Sequence, residues 1–180
     1  MELYSILLQT EQRCSEDTAY VYEGRSYNYR EFLQNSNVVG HALIQRGYRE
    51  RQNIGLLTPN TPNFVFGLFG LLGAGHIAVP LNPLLNPQEI GNLLRHAGPR
   101  VLLYDPLLKD KAEQAVRDSG LEVECLSIPE LLQTPGPVTA SFAPAAGDDD
   151  SSMILYTSGT TGDPKGVVLT HKNIHSNTVS

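Results

Sequence analysis

The stretch NIGLLTPNTPNFVFGLFGLLGAGHIAV, residues 53–79, decides the fold. Asn53 to Leu57 is a short run of apolar side chains without the alternation of a half-buried strand. Thr58-Pro59-Asn60-Thr61-Pro62 supplies a turn and a helix cap, Asn63 to Ala74 is long enough for a three-turn helix, Gly75 is its stop, and Ile77 to Val79 is a second apolar strand. Two all-apolar strands joined through a capped helix imply parallel neighbours buried on both faces, with a right-handed crossover.

The same grammar extends in both directions. Downstream, Asn86-Pro87-Gln88-Glu89 opens a helix that Gly98 closes, and Arg100 to Tyr104 is the next strand. Pro106 to Ser119 and Leu121 to Leu126 give a further helix and strand. Upstream, a short helix over Leu3 to Thr10 precedes a hairpin in which Ala19 to Glu23 and Ser26 to Tyr27 flank Glu23-Gly24-Arg25. Asn28 then caps a helix, with Glu31 placed to complete a capping box and Gly47 to end it. The fold class is α/β, a mainly parallel sheet flanked by helices. From Thr134 to Asp150 the composition turns to Pro, Ala, Gly and an Asp triplet, the signature of a surface linker. Residues 151–180 then read as two strands, Met153 to Tyr156 and Val167 to Leu169, around a polar loop, followed by the start of a helix capped by Thr170.

Composition narrows the function classes. With 180 residues, 41% hydrophobic and 18% charged, the chain can bury a core. A net charge of −6 with only four lysines argues against a nucleic-acid binder. Arg46, Arg49 and Arg51 straddle Gly47 and read as cations at a helix end. The opening residues lack the basic and apolar regions of a signal peptide, and Phe64 to Val79, broken by four glycines and His76, is too short to span a bilayer. Cys14 and Cys125 lie far apart, so neither a disulfide framework nor a zinc site is suggested, and a reducing cytoplasm is the expected location.

Several motifs read as structural. Gly67, Gly70 and Gly73 repeat every three residues, which puts them on one helix face and suits close packing rather than a dinucleotide loop. His171 and His175 lack the glutamate of a zinc-binding HExxH pair. Asp148-Asp149-Asp150 has neither the glycine nor the distal glutamate of a calcium loop. No metal site is expected, and Ser158 does not sit in a nucleophile elbow.

The chemistry lies in Tyr156-Thr157-Ser158-Gly159-Thr160-Thr161-Gly162-Asp163-Pro164-Lys165-Gly166. Its glycines let backbone N–H groups converge, its hydroxyls add donors and Lys165 adds a point charge, a set suited to a polyphosphate. A Walker loop is disfavoured: Pro164 and Gly166 replace its second glycine and its magnesium-binding hydroxyl, and a strand rather than a helix follows. Without an anion, residues 158–165 should be among the most mobile.

This loop resembles the phosphate-binding signature of the adenylate-forming enzymes, the family of acyl-CoA synthetases, luciferases and the adenylation domains of peptide synthetases. The continuation Val167 to Ile174 and the upstream block from Asn53 to Pro83 resemble the same family, so the likeness spans about residues 16 to 174. The resemblance implies a ligase in which a carboxylate attacks the α-phosphate of ATP, with Mg2+, to give an acyl-adenylate and pyrophosphate, after which CoA takes the acyl group. Thr157, Ser158, Gly159, Thr160, Thr161, Gly162 and Lys165 would then hold the departing phosphates as positioning groups, with no catalytic residue in this chain.

Family members carry several hundred further residues. The expectation is therefore an N-terminal piece of the large domain, inactive alone and completed by the remaining domains of the same ligase. A carboxylic acid, fatty acids first, is the expected substrate, and peripheral association with a membrane stays open. The alternatives are a peptide-synthetase adenylation domain, a non-catalytic phosphate-binding module and, least of all, a P-loop NTPase.

Overall fold

The computed structural model describes residues 2–133, 140–143, 146–157 and 164–178. Along them run α1 (Leu3–Cys14), β1 (Thr18–Tyr22), β2 (Arg25–Asn28), α2 (Tyr29–Gln45), β3 (Asn53–Leu57), α3 (Pro62–Gly73), β4 (Ile77–Pro80), α4 (Pro87–Ala97), β5 (Val101–Tyr104), α5 (Lys109–Ser119), β6 (Glu124–Ser127), α6 (Ile128–Leu132), β7 (Ser151–Thr157), β8 (Lys165–Thr170) and α7 (His171–Thr178). A 3-10 turn at Pro106–Leu108 precedes α5, so the single helix expected over Pro106 to Ser119 is two. Asp105 explains the break: its carboxylate accepts from the Leu107 amide at 3.1 Å and holds the tighter turn.

Helix ends follow the capping chemistry, with two departures. Asn86 and Glu89 form a complete capping box on α4, and Gly98 ends that helix at φ +62°. On α2, Asn28 accepts from the Glu31 amide at 2.8 Å, but the Glu31 carboxylate pairs with Arg25 at 3.0 Å instead of reaching back. The sequence pattern permits both partners, and the tight β1–β2 turn, with Glu23 and Gly24 both at positive φ, brings the arginine within reach. Thr61 stands at the N-cap of α3, yet its hydroxyl points to Asp105, 3.4 Å away, and makes no cap bond. Asn63 donates to the same carboxylate at 2.7 Å, which ties the start of α3 to the end of β5.

The main sheet has the order β6-β5-β3-β4-β7-β8, parallel from β6 through β7, with β8 antiparallel to β7; β1 and β2 pair separately. This is the α/β architecture read from the sequence. Ile54, Leu56, Val101 and Leu103 face one layer, built on α1, α2, α3 and α6. Leu57, Leu102 and Tyr104 face the other, built on α4 and α5. The period-two division shows why these strands read as continuous apolar runs: both faces are buried.

The glycine stripe is a packing device. A Cβ on Gly70 would lie 2.6 Å from the Ser36 carbonyl oxygen on α2, and one on Gly40 would lie 2.6 Å from the Gly70 carbonyl. Gly67 faces Leu56 and Ile128, and Gly73 faces Tyr4 and Phe142. Phe142 belongs to the Pro- and Ala-rich stretch whose composition marks it as a linker. Its ring packs edge-on against Tyr4 and stacks on His41 at 4.3 Å, and its amide donates to the Tyr4 hydroxyl at 3.1 Å. The rest of that stretch lies partly outside the described residues.

Two buried histidines make stability depend on pH. His76 is 2% exposed, neither ring nitrogen meets a hydrogen-bond partner among the described residues, and burial holds its pKa below the usual 6.5, offset only in part by the main chain at Tyr48 and Glu50. His171, equally buried, accepts from the Leu3 amide at Nδ1, 3.3 Å, and is lowered by burial and then by Arg51. Both take up a proton less readily in the folded than in the unfolded chain, so their contribution is intact above pH 6.5 and is lost as pH falls below it. The steepest slope is roughly 1.4 kcal/mol per pH unit for each. Urea midpoints should fall between pH 7 and 5.5, and His76→Gln should flatten that fall; a midpoint independent of pH in this window would contradict the argument.

Candidate functional site

The stretch read as a phosphate loop, residues 156–166, begins at the end of β7 and finishes at the start of β8. Because β7 is parallel to β4, the loop leaves the same carboxyl edge of the sheet at which β3, β4 and β5 end, the edge where ligands bind in open α/β sheets. Cross-strand register places Thr157 opposite Lys165, with Tyr156 opposite Gly166 and Leu155 opposite Val167. Directly opposed residues in an antiparallel pair present their side chains to one face, so the first hydroxyl and the only cation of the signature flank the loop mouth together. Both are exposed. Ser158, Gly159, Thr160, Thr161 and Gly162, the other expected contacts, lie outside the described residues, as does most of the segment expected to be mobile.

Gly166 has a local reason to be glycine. A Cβ there would approach Ile154 Cγ2 to 2.9 Å and the Tyr156 ring to 3.3 Å. The Tyr156 ring lies over its register partner, and its hydroxyl is 2.8 Å from His96 Nδ1 on α4. Partial burial raises the Tyr156 pKa, so the phenol remains protonated at neutral pH. This contact has no signature in the sequence, since 60 residues separate the partners.

The other end of the hairpin is clamped. Arg51 donates to the Ser151 carbonyl and pairs with Asp150 at 3.4 Å, and the Asp150 carboxyl is held below its usual range by the Gly147 amide and then by Arg51. Arg51 is therefore not a helix-end cation. It lies beyond α2, between Gly47 and the start of β3, whereas Arg46 does cap its own helix through the Ala42 carbonyl. The amides of His171 and Lys172 donate to the carbonyls of Asp150 and Asp148, and Thr170 and Asn173 cap α7 reciprocally at 2.9 and 3.1 Å. The Asp triplet thus serves as the turn on which α7 is seated. Among the described residues no group of three or more His, Cys, Asp or Glu side chains gathers to hold a metal, and no helix is long and apolar enough to cross a membrane.

The family model described as AMP-binding enzyme matches residues 8–180. A crotonobetaine/carnitine–CoA ligase of Escherichia fergusonii is 32% identical over 161 residues, covering 82% of this chain and 31% of that protein. Gramicidin S synthase 2 of Brevibacillus brevis is also 32% identical, over 172 residues, covering 96% of this chain and 4% of the synthase. Among solved structures, a benzoate CoA ligase from Burkholderia xenovorans LB400 superposes with a TM-score of 0.85 at 25% identity, covering 98% of this chain and 36% of that one. The chain spans about a third of the length of these two CoA ligases. With the family model matching residues 8–180 of its 180, the chain belongs to the AMP-binding enzyme family.

Proposed function

We propose that the protein is part of an ATP-dependent acid–thiol ligase that activates a carboxylic acid, fatty acids first, as an acyl-adenylate and transfers the acyl group to CoA. The observation that carries this reading is the register of the hairpin: Thr157 and Lys165 face each other at the mouth of a glycine- and hydroxyl-rich loop. In the reaction, bond formation between the carboxylate oxygen and the α-phosphorus expels pyrophosphate. Charge accumulates on the β- and γ-phosphate oxygens, and preorganised N–H, O–H and ammonium donors stabilise it. Thr157, Ser158, Gly159, Thr160, Thr161, Gly162 and Lys165 have that role, and none acts as acid, base or nucleophile. Mg2+ would accompany the nucleotide and screen its charge. Thiols at Cys14 and Cys125 suit a reducing cytoplasm.

A second reading has a specific observation behind it. Gramicidin S synthase 2 matches at the same identity as the CoA ligase and over more of this chain, which favours an adenylation domain that passes an amino acid to a carrier thiol. ATP–pyrophosphate exchange with the whole protein, run with fatty, aromatic and amino acids, separates the two, since exchange driven only by amino acids sinks the CoA-ligase reading. The 180 residues alone should neither form adenylate nor bind ATP tightly, because phosphate contacts without an adenine pocket do not offset the ordering of loop and ligand. Turnover by the isolated chain would overturn that expectation.

A further inference from the structure

The β7–β8 hairpin joins the rest of the sheet along β4. β4 and β7 run parallel, with Ala78 in register with Met153. Beyond Met153, β7 runs on from Ile154 to Thr157. The polar side chain that reaches back over this stretch is Tyr156. Its hydroxyl is 2.8 Å from His96 Nδ1, and the two rings meet edge-on with centroids 5.6 Å apart.

His96 stands on fixed ground. Its helix carries the capping box at one end and Gly98 at the other. Asn53 of β3 donates to the Ala97 carbonyl at 2.8 Å, and Arg95 donates to the carbonyls of Ser119 and Asp118 at 3.2 and 2.8 Å. Tyr156 immediately precedes Thr157, and its ring covers Gly166, the neighbour of Lys165. A displacement of Tyr156 is thus carried into both residues that flank the loop mouth.

We infer that His96 is a positioning residue: through the Tyr156 hydroxyl it sets where Thr157 and Lys165 stand at the end of the β7–β8 hairpin. This rests on the reading of the loop as the element that holds the departing phosphates. His96 touches no reacting group. The contact is solvent-exposed, so its loss is partly made good by water and the expected effect is a modest one on nucleotide binding.

The test uses the whole ligase and ATP–pyrophosphate exchange. His96→Ala and Tyr156→Phe should each raise KM for ATP about two- to tenfold, with KM for the carboxylate unchanged, the span expected of one neutral hydrogen bond. The double variant should be no worse than the worse single one, because both remove the same bond. His96→Gln, whose amide offers a donor and an acceptor, should restore most of the loss. Additive effects, or equal changes in both KM values, would mean general loosening and overturn the inference. Tyr156→Phe keeps the ring over Gly166, so it gives an answer even where His96→Ala fails to fold. Should Lys165→Ala impair exchange while His96→Ala and Tyr156→Phe leave KM for ATP untouched, the positioning role alone fails; should Lys165→Ala also be silent, the reading of the loop fails with it.

Discussion

In the whole protein, on the proposed function, Lys165→Ala should lower ATP–pyrophosphate exchange about 10- to 150-fold. Lys165 is the only cation between Tyr156 and Gly166 and opens β8 directly across from Thr157. A hydrogen bond to a charged group contributes ~1.5 to 3 kcal/mol, and each ~1.4 kcal/mol is a factor of ten. The residue is exposed, so the substitution should leave the urea midpoint of the protein almost unchanged. That combination, a large kinetic loss on an intact fold, distinguishes a phosphate contact from a structural lysine. Exchange kinetics indistinguishable from the parent would remove the assignment of this loop.

Gly70→Val should do the reverse and remove a large share of the stability of the fold. The first added carbon would lie 2.6 Å from the Ser36 carbonyl oxygen and 2.9 Å from the Val39 Cβ. Neither is the tip of a flexible side chain, so the only relief is to part α2 from α3. Overpacking of this kind costs ~1 to 3 kcal/mol or more, and the further methyls of valine put the loss at the upper end, against a total stability of roughly 5 to 15 kcal/mol. Gly70→Ala should lower the urea midpoint clearly, whereas Gly147→Ala, whose new carbon would meet only the Asp150 carboxylate at 3.5 Å, should change it little. Equal midpoints for Gly70→Ala and Gly147→Ala would refute the close crossing.

What could be read in advance was what is local. Caps, stops and apolar runs located α2, β3, α3, β4, α4 and β5, because a cap and its helix are neighbours in the chain. The signature loop was placed between its two strands for the same reason. Strand order was not legible: β7 follows β6 in the chain but pairs along the β4 edge of the sheet, and no local pattern in the sequence says which edge a strand will join. Nor could the Glu31 carboxylate be assigned between its own helix and Arg25, since a capping pattern specifies a possible partner and not the competition for it. α6 is five residues long and too short to carry a period. Arg51 and His96 gave no signal because their partners, Asp150 and Tyr156, are brought to them only by the folded sheet.

Phe142 has a consequence for the order of events during synthesis. Its ring would meet a side-chain carbon on either Gly40 or Gly73, so it fills the notch those glycines leave, and its amide closes a span of 138 residues back to Tyr4. The first three helices therefore emerge from the ribosome with this notch unfilled. At ~5 to 20 residues per second, the roughly 70 residues between Gly73 and Phe142 take about 4 to 14 s to appear. For that interval the nascent chain exposes an apolar recess beside α1, α2 and α3. A segment that looks like filler by its composition thus reaches its notch only after the helices that form it have been made.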